Sequence, residues 1–168
     1  MPKVKIAIAG VGNCASALIQ GLEYYKQNPE DSIGLIKYSL AGIEPSDIEF
    51  VAAFDVNDKK VGIDLSEAIF QHPNNTAKII DVPKFNLSVS RAPVKDGIGK
   101  YLKDVIDVND SDYSNVVDVI KDSGADLLIN YLPVGSTDAT KYYAQCALDS
   151  NVGFINSMPV FIASSEEW

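Results

Sequence analysis

Apolar positions along this chain fall into short saturated runs separated by longer amphipathic or polar stretches. From Lys3 to Ala9 the chain alternates and then saturates with apolar residues, as a strand buried in a parallel sheet does. From Asn13 to about Tyr25 the interval changes. Ala15, Leu18, Ile19 and Leu22 recur at helical spacing on one face. Between Lys26 and Asp47 the periodicity dissolves into Pro29, Gly34, Gly42 and Pro45, a long stretch for a plain connection. Glu49 to Val56 predicts a second strand carrying Asp55 at its end, and Gly62 to Phe70 a short helix. A third strand is expected near Asn86 to Ser90. Asp96 to Val108 is ambiguous, with Gly97 and Gly99 suggesting a loop before a short helix. Ser111 or Asp112 is expected to cap a helix that Gly124 ends. A fourth strand follows over Asp126 to Tyr131, a helix over Thr137 to Ser150 and a fifth strand from Gly153 to Asn156, broken by Pro159. Ser164 to Trp168 looks like the first turn of another helix.

Strand and helix alternate at least four times, which argues an α/β fold: a parallel sheet with helices on both faces. The 168 residues suit one domain, with residues 26–47 as an insertion. A net charge of −9 argues against a nucleic-acid surface. Cys14 and Cys146 form no disulfide framework and imply a reducing compartment. The N-terminus enters the first strand at once, and no apolar run approaches membrane-spanning length. A cytoplasmic enzyme or enzyme fragment is the expectation.

The candidate chemistry starts at Gly10-Val11-Gly12-Asn13-Cys14-Ala15, between the first strand and the first helix. A Gly-x-Gly-x-x-Ala turn in that context is built to hold a pyrophosphate. The first glycine makes the tight turn, the second lets backbone approach the phosphates, and the small alanine lets helix and strand pack closely. The helix then directs its free N–H groups and positive dipole end at the anion. This is the fingerprint of a Rossmann-like, doubly wound dinucleotide fold; the alternative is a tight turn with no nucleotide.

Asp55, at the end of the second strand, is placed to accept hydrogen bonds from an adenosine ribose and to repel a 2′-phosphate, which favours NAD over NADP. It lies about twice as far from the turn as the usual ~20 residues, and the 26–47 insertion accounts for the excess. The alternative is a solvated turn aspartate. Leu132-Pro133-Val134-Gly135-Ser136 follows the fourth strand at the edge where such folds bind ligands. It suits either a second backbone site, for nicotinamide or a phosphate, or plain helix capping by Ser136. Asn156-Ser157-Met158-Pro159 has the same two readings, ligand contact or proline turn. His72 reads as an exposed loop residue, Cys14 as a small filler of the turn, and the pairs Tyr24-Tyr25 and Tyr142-Tyr143 as half-buried helix faces. No nucleophile triad and no metal-ligand spacing is present in the sequence.

Six stretches taken together resemble the bacterial inositol-3-phosphate synthases: VGNCASALIQGLEYYK from Val11, FVAAFDVNDKKVGIDLSEAI from Phe50, DGIGKYLKD from Asp96, NYLPVGS from Asn130, YYAQCALD from Tyr142 and MPVFIAS from Met158. The resemblance implies an NAD-binding Rossmann domain followed by a second, catalytic domain that is absent from this chain. It implies conversion of glucose 6-phosphate to inositol phosphate by oxidation at C5, enolisation, aldol closure and re-reduction, with NAD retained throughout. Under it, Gly10, Gly12, Asn13, Cys14 and Ala15 line the pyrophosphate and Asp55 holds the ribose. Asp64 and Tyr143 match positions that the family associates with NAD, and Leu132, Pro133, Gly135 and Ser136 face the nicotinamide side. The family's catalytic lysines fall in and beyond a Gly-Asp-Asp-x-Lys-Ser-Gln segment that this sequence does not contain. The 168 residues alone are therefore expected to bind NAD without turnover. The resemblance also implies a homo-oligomer for the full-length enzyme, and apolar surface near Phe154 to Ile162 in this piece. The competing expectations are a stand-alone NAD(H)-binding sensing or interaction module and half of a generic NAD-dependent dehydrogenase.

Overall fold

The chain opens with β1 (Val4–Ala9), whose alternate residues enter two separate cores. Ile6 and Ile8 pack on one side with Ala15 and Ile19 of α1 (Asn13–Gln27) and Leu65 of α2 (Leu65–Ala68). Ala7 and Ala9 pack on the other, with Val116 and Ile120 of α4 (Val116–Ser123) and Tyr143 and Ala147 of α5 (Thr137–Ser150). Between these helices lie β2 (Ile48–Asp55), β3 (Ser90–Arg91), β4 (Leu127–Asn130) and β5 (Gly153–Asn156), with the one-turn helix α3 (Gly99–Leu102) after β3. The coordinates are a computed structural model describing residues 3–164, 166 and 168, without the side chains of residues 100 and 101. The helical turn expected over 164–168 lies partly outside the described residues.

All strand pairs are parallel, in the order β3-β2-β1-β4-β5. The sheet grows outward from β1 in both directions, so the chain's switch point falls between β1 and β4. The expected α/β, Rossmann-like doubly wound sheet is therefore the observed one. In such sheets ligands bind at the carboxyl ends of the strands, at the point where strand order reverses.

Three elements depart from expectation. The third strand is only Ser90–Arg91, because residues 87–89 are drawn to the entry of α2. Leu65 N donates to Leu87 O at 2.8 Å, and the Asp64 carboxylate accepts the N–H groups of Phe85 and Leu87. The cap of α4 is Asn115, whose Oδ1 accepts from Val117 N and Asp118 N, and not Ser111 or Asp112. Ser111 is tied instead to the Asn109 side chain. The 26–47 segment forms a short 3-10 turn at Pro45–Asp47, and the rest is pinned by tyrosine hydroxyls. Tyr24 Oη donates to Asp31 at 2.6 Å and Tyr25 Oη to the Ile33 carbonyl at 2.7 Å.

Candidate functional site

Gly10 leaves β1 at φ +91°, a left-handed conformation that only glycine adopts freely. A Cβ there would stand 2.8 Å from the Tyr131 carbonyl oxygen, so the glycine lets the β1 and β4 exits close on each other. At Gly12 nothing lies within 4 Å of where a Cβ would be. That open space fronts the first turn of α1, which has no side-chain cap and no acidic residue. Ala15, fully buried, packs α1 onto the sheet. The three small residues thus do three different physical jobs: close approach, clearance and packing.

The turn faces a cleft of about 550 Å³ at the carboxyl rim. Gly10, Gly12, Asn13 and Cys14 form one wall, Asp55 and Lys60 the floor near β2, and Leu132, Pro133 and Tyr143 the β4–α5 side. Ser157, Met158 and Pro159 after β5 line it too. Of the charged side chains on this lining, Lys60 and Lys95 outnumber Asp55, so the cleft runs against the acidic balance of the whole chain.

Asp55 is a turn-holding residue. Its Oδ2 accepts the Val11 N–H at 2.8 Å, and its Oδ1 accepts Val56 N at 2.8 Å and Asn57 N at 2.9 Å. Asn57, buried, then turns the chain back. Its Oδ1 accepts Lys59 N and its carbonyl accepts Lys60 N and Val61 N. This brings Lys60 under the glycine turn, where its buried ammonium donates to the Val11 carbonyl at 2.7 Å. Burial pulls the Lys60 pKa below the ordinary lysine value, and the negative charge of Asp55 opposes that fall.

Tyr143 packs on Phe54 with ring centroids 6.0 Å apart and lies almost wholly buried at the cleft wall. Burial first, and the nearby Asp55 charge second, hold its phenol well above the usual tyrosine range, so it is a neutral donor. The side chain of Asn13 is committed elsewhere: its Oδ1 accepts Asn75 N at 2.8 Å and fastens the 71–76 loop to the rim. Asn130, fully buried, donates to Thr140 and Asn156 and accepts from Leu132 N, which fixes the exits of β4 and β5 together.

The structure does not bring every expected residue to the cleft. Asp64 caps α2, its carboxylate accepting from Ser66, Phe85 and Leu87, and it lies off the lining. Gly135 and Ser136 also stand off it. Ser136 Oγ donates to the Pro133 carbonyl at 2.6 Å and makes no cap to α5. The α5 N-terminus is filled from outside by Asp96, which accepts Asp138 N at 2.8 Å and Ala139 N at 3.0 Å. A carboxylate already occupies the N–H groups that a second backbone anion site would need. His72 is exposed and off the lining, as expected. Among the described residues no cluster of His, Cys, Asp and Glu suits a metal ion. No described helix is long and apolar enough to cross a membrane.

The chain is 52% identical over 168 residues to a Mycolicibacterium smegmatis protein named inositol-3-phosphate synthase, covering 99% of this chain and 46% of that protein. Over nearly its whole length the chain is thus similar in sequence to part of proteins named inositol-3-phosphate synthase. A synthase of that name from Mycobacterium tuberculosis is 51% identical and one from Corynebacterium glutamicum 48%, each again matched over 46% of its length. The chain therefore spans about half the length of the synthases it matches. No family model matches it. Among solved structures, Ari2 superposes with a TM-score of 0.81 at 29% identity, over 98% of this chain and 48% of that one. A Thermotoga maritima protein described as myo-inositol-1-phosphate synthase-related gives 0.71 at 20% identity, over 96% of this chain and 49% of its own, a likeness of fold alone.

Sequence reasoning missed Lys60 and Asn57 on the cleft lining and Asp96 as the cap of α5. Apolar periodicity carries no mark for a lysine that reaches back under a turn. The one available signal was Asn57-Asp58 straight after the strand-end aspartate, a pair that favours a tight reversal.

Proposed function

We propose that these 168 residues are the dinucleotide-binding part of an inositol-3-phosphate synthase and that the cleft takes NAD. The observation that carries the reading is the contrast between Gly10, where a side chain would strike Tyr131 backbone, and Gly12, where space lies open before an uncapped helix start. The residues present fit the cofactor. The N–H groups of Gly12, Asn13 and Cys14 would hold the pyrophosphate, a role that backbone at a helix start performs without a basic patch. Asp55 would take the ribose hydroxyls with the acceptor capacity its three N–H bonds leave, and its charge would exclude a 2′-phosphate. Leu132, Pro133 and Tyr143 would flank the nicotinamide half, and the Tyr143 phenol would stay protonated beside it. When bound, NAD supplies reversible hydride acceptance, which suits a conversion with no net redox change.

In the complete enzyme the substrate is proposed to be D-glucose 6-phosphate and the product 1D-myo-inositol 3-phosphate, an isomerisation in which every atom of the sugar phosphate is retained. What the described residues do is bind and orient the cofactor and wall the cleft with apolar side chains. The complete enzyme is proposed to act as a homo-oligomer in the cytoplasm. Exposed Ile155 on β5 and Phe161 after it give this piece apolar surface of the kind a subunit or domain contact covers. Calorimetric titration with NAD and with NADP tests the reading. Saturable one-to-one binding of NAD, with NADP much weaker, is expected; equal affinity or no heat for either contradicts it.

A further inference from the structure

The peptide group joining Val11 to Gly12 is the part of the turn that would lie against an anion. Its preceding N–H, that of Val11, is held by Asp55, and its carbonyl is held by Lys60. A peptide is planar and its C=O and N–H point from opposite edges, so fixing the Val11 oxygen fixes the direction of the Gly12 N–H. Within the described residues that N–H has no acceptor. Lys60 is 4% exposed, so its charge is screened far less than a surface lysine's. It uses one of three ammonium hydrogens on Val11 and still reaches the cleft lining. A buried ammonium is costly to keep without a partner, and Asp55 offsets part of that cost. An arriving phosphate would offset more.

We propose that Lys60 is a positioning residue for a diphosphate ligand: it props the glycine turn from beneath, sets the Gly12 N–H toward the anion and adds a buried positive charge behind the turn. The proposal rests on the dinucleotide reading and deepens it. It separates Lys60 from the ordinary fingerprint, in which backbone and helix dipole alone hold the phosphates.

The test compares the full 168-residue chain with Lys60→Met, which keeps the buried stem and removes the charge and donor. Both are titrated with NAD, ADP and adenosine at two salt concentrations, alongside thermal melting. The variant is expected to bind NAD and ADP about tenfold more weakly, because the Gly12 N–H loses its fixed direction and the phosphates lose a nearby buried positive charge. Adenosine, which has no phosphate, should bind within about twofold of wild type, and the loss for ADP should persist at the higher salt, because a buried charge is screened little. Equal loss for all three ligands would make Lys60 a structural prop only and overturn the proposal, as would no loss at all. Should the variant fail to fold, wild-type nuclear magnetic resonance decides. ADP, and not adenosine, must shift both the Lys60 Cε resonance and the Gly12 amide, and an unmoved Lys60 overturns it. If wild type binds none of the three, the dinucleotide reading falls together with this one. If wild type binds ADP and the variant binds it equally well, only the role of Lys60 falls.

Discussion

The Asp55 carboxylate accepts the Val11 N–H at 2.8 Å, so the residue that ends β2 holds the turn that ends β1. One side chain therefore couples the ribose position to the shape of the pyrophosphate turn. Asp55→Ala is expected to lower stability by about 1–2 kcal/mol, because three backbone N–H groups lose their acceptor. It should also weaken NAD and narrow the NAD-to-NADP ratio. Melting and paired titrations check both. Unchanged NAD affinity in a folded variant would remove Asp55 from the ribose site.

The two turn glycines separate folding from binding. Gly10→Ala is expected to cost about 2–4 kcal/mol, since the new methyl meets Tyr131 backbone at a left-handed φ. Gly12→Ala meets nothing and sits at φ −105°, so the melting temperature should barely move while NAD affinity drops at least about tenfold. A folded Gly12→Ala protein with wild-type affinity would mean that the clearance in front of α1 is not used by the ligand.

Acid should loosen the starts of α2 and α5, which Asp64 and Asp96 cap. Burial alone would raise the carboxyls of Asp64 and Asp96, but the hydrogen bonds they accept outweigh it and hold both below their ordinary value. A depressed folded pKa means that the native state binds fewer protons. The stability is thus fully present above the unfolded value of ~3.9 and is lost as pH falls through the folded pKa. Asp96→Asn is expected to cost about 1 kcal/mol at neutral pH, by replacing one of the two carboxylate oxygens that accept α5 N–H groups with a donor, and to shrink the fall in stability below about pH 4. Chemical denaturation at pH 7 and pH 3 reads the difference.

Turnover is the fourth expectation. The described cleft offers two cationic side chains, and one of them, Lys60, lies buried beneath the glycine turn. Stabilising an enolate and an alkoxide calls for further charged donors aimed at the reacting oxygens. The 168 residues by themselves should release inositol phosphate from glucose 6-phosphate no faster than a blank, and clear release would contradict this.

How far the sequence disclosed these features follows from the range of each interaction. Saturated strands, helical spacing and a glycine-rich turn are local, so β1, β2, β4, β5, α1 and α5 were legible within a residue or two at each end. The open space at Gly12 follows from the same local pattern, whereas the crowding at Gly10 comes from the Tyr131 backbone, remote in sequence. The roles of Asp64, Ser136 and Asp96 were not legible, because each depends on which distant backbone N–H arrives at a carboxylate. Asp96 reaches α5 across 42 residues, and Asp64 gathers Leu87 across 23. Ser136 precedes a helix, as caps do, yet the cap comes from another loop. Lys60 reaches Val11 across 49 residues, through a reversal at Asn57 that periodicity does not encode.

The central claim is that a dinucleotide's diphosphate lies against the start of α1. A crystal structure of the chain with NAD tests it most directly. The phosphate oxygens should stand within hydrogen-bond distance of the N–H groups of Gly12, Asn13 and Cys14, in the space now open before Gly12. A diphosphate seated anywhere else, with those N–H groups facing solvent, would contradict the account.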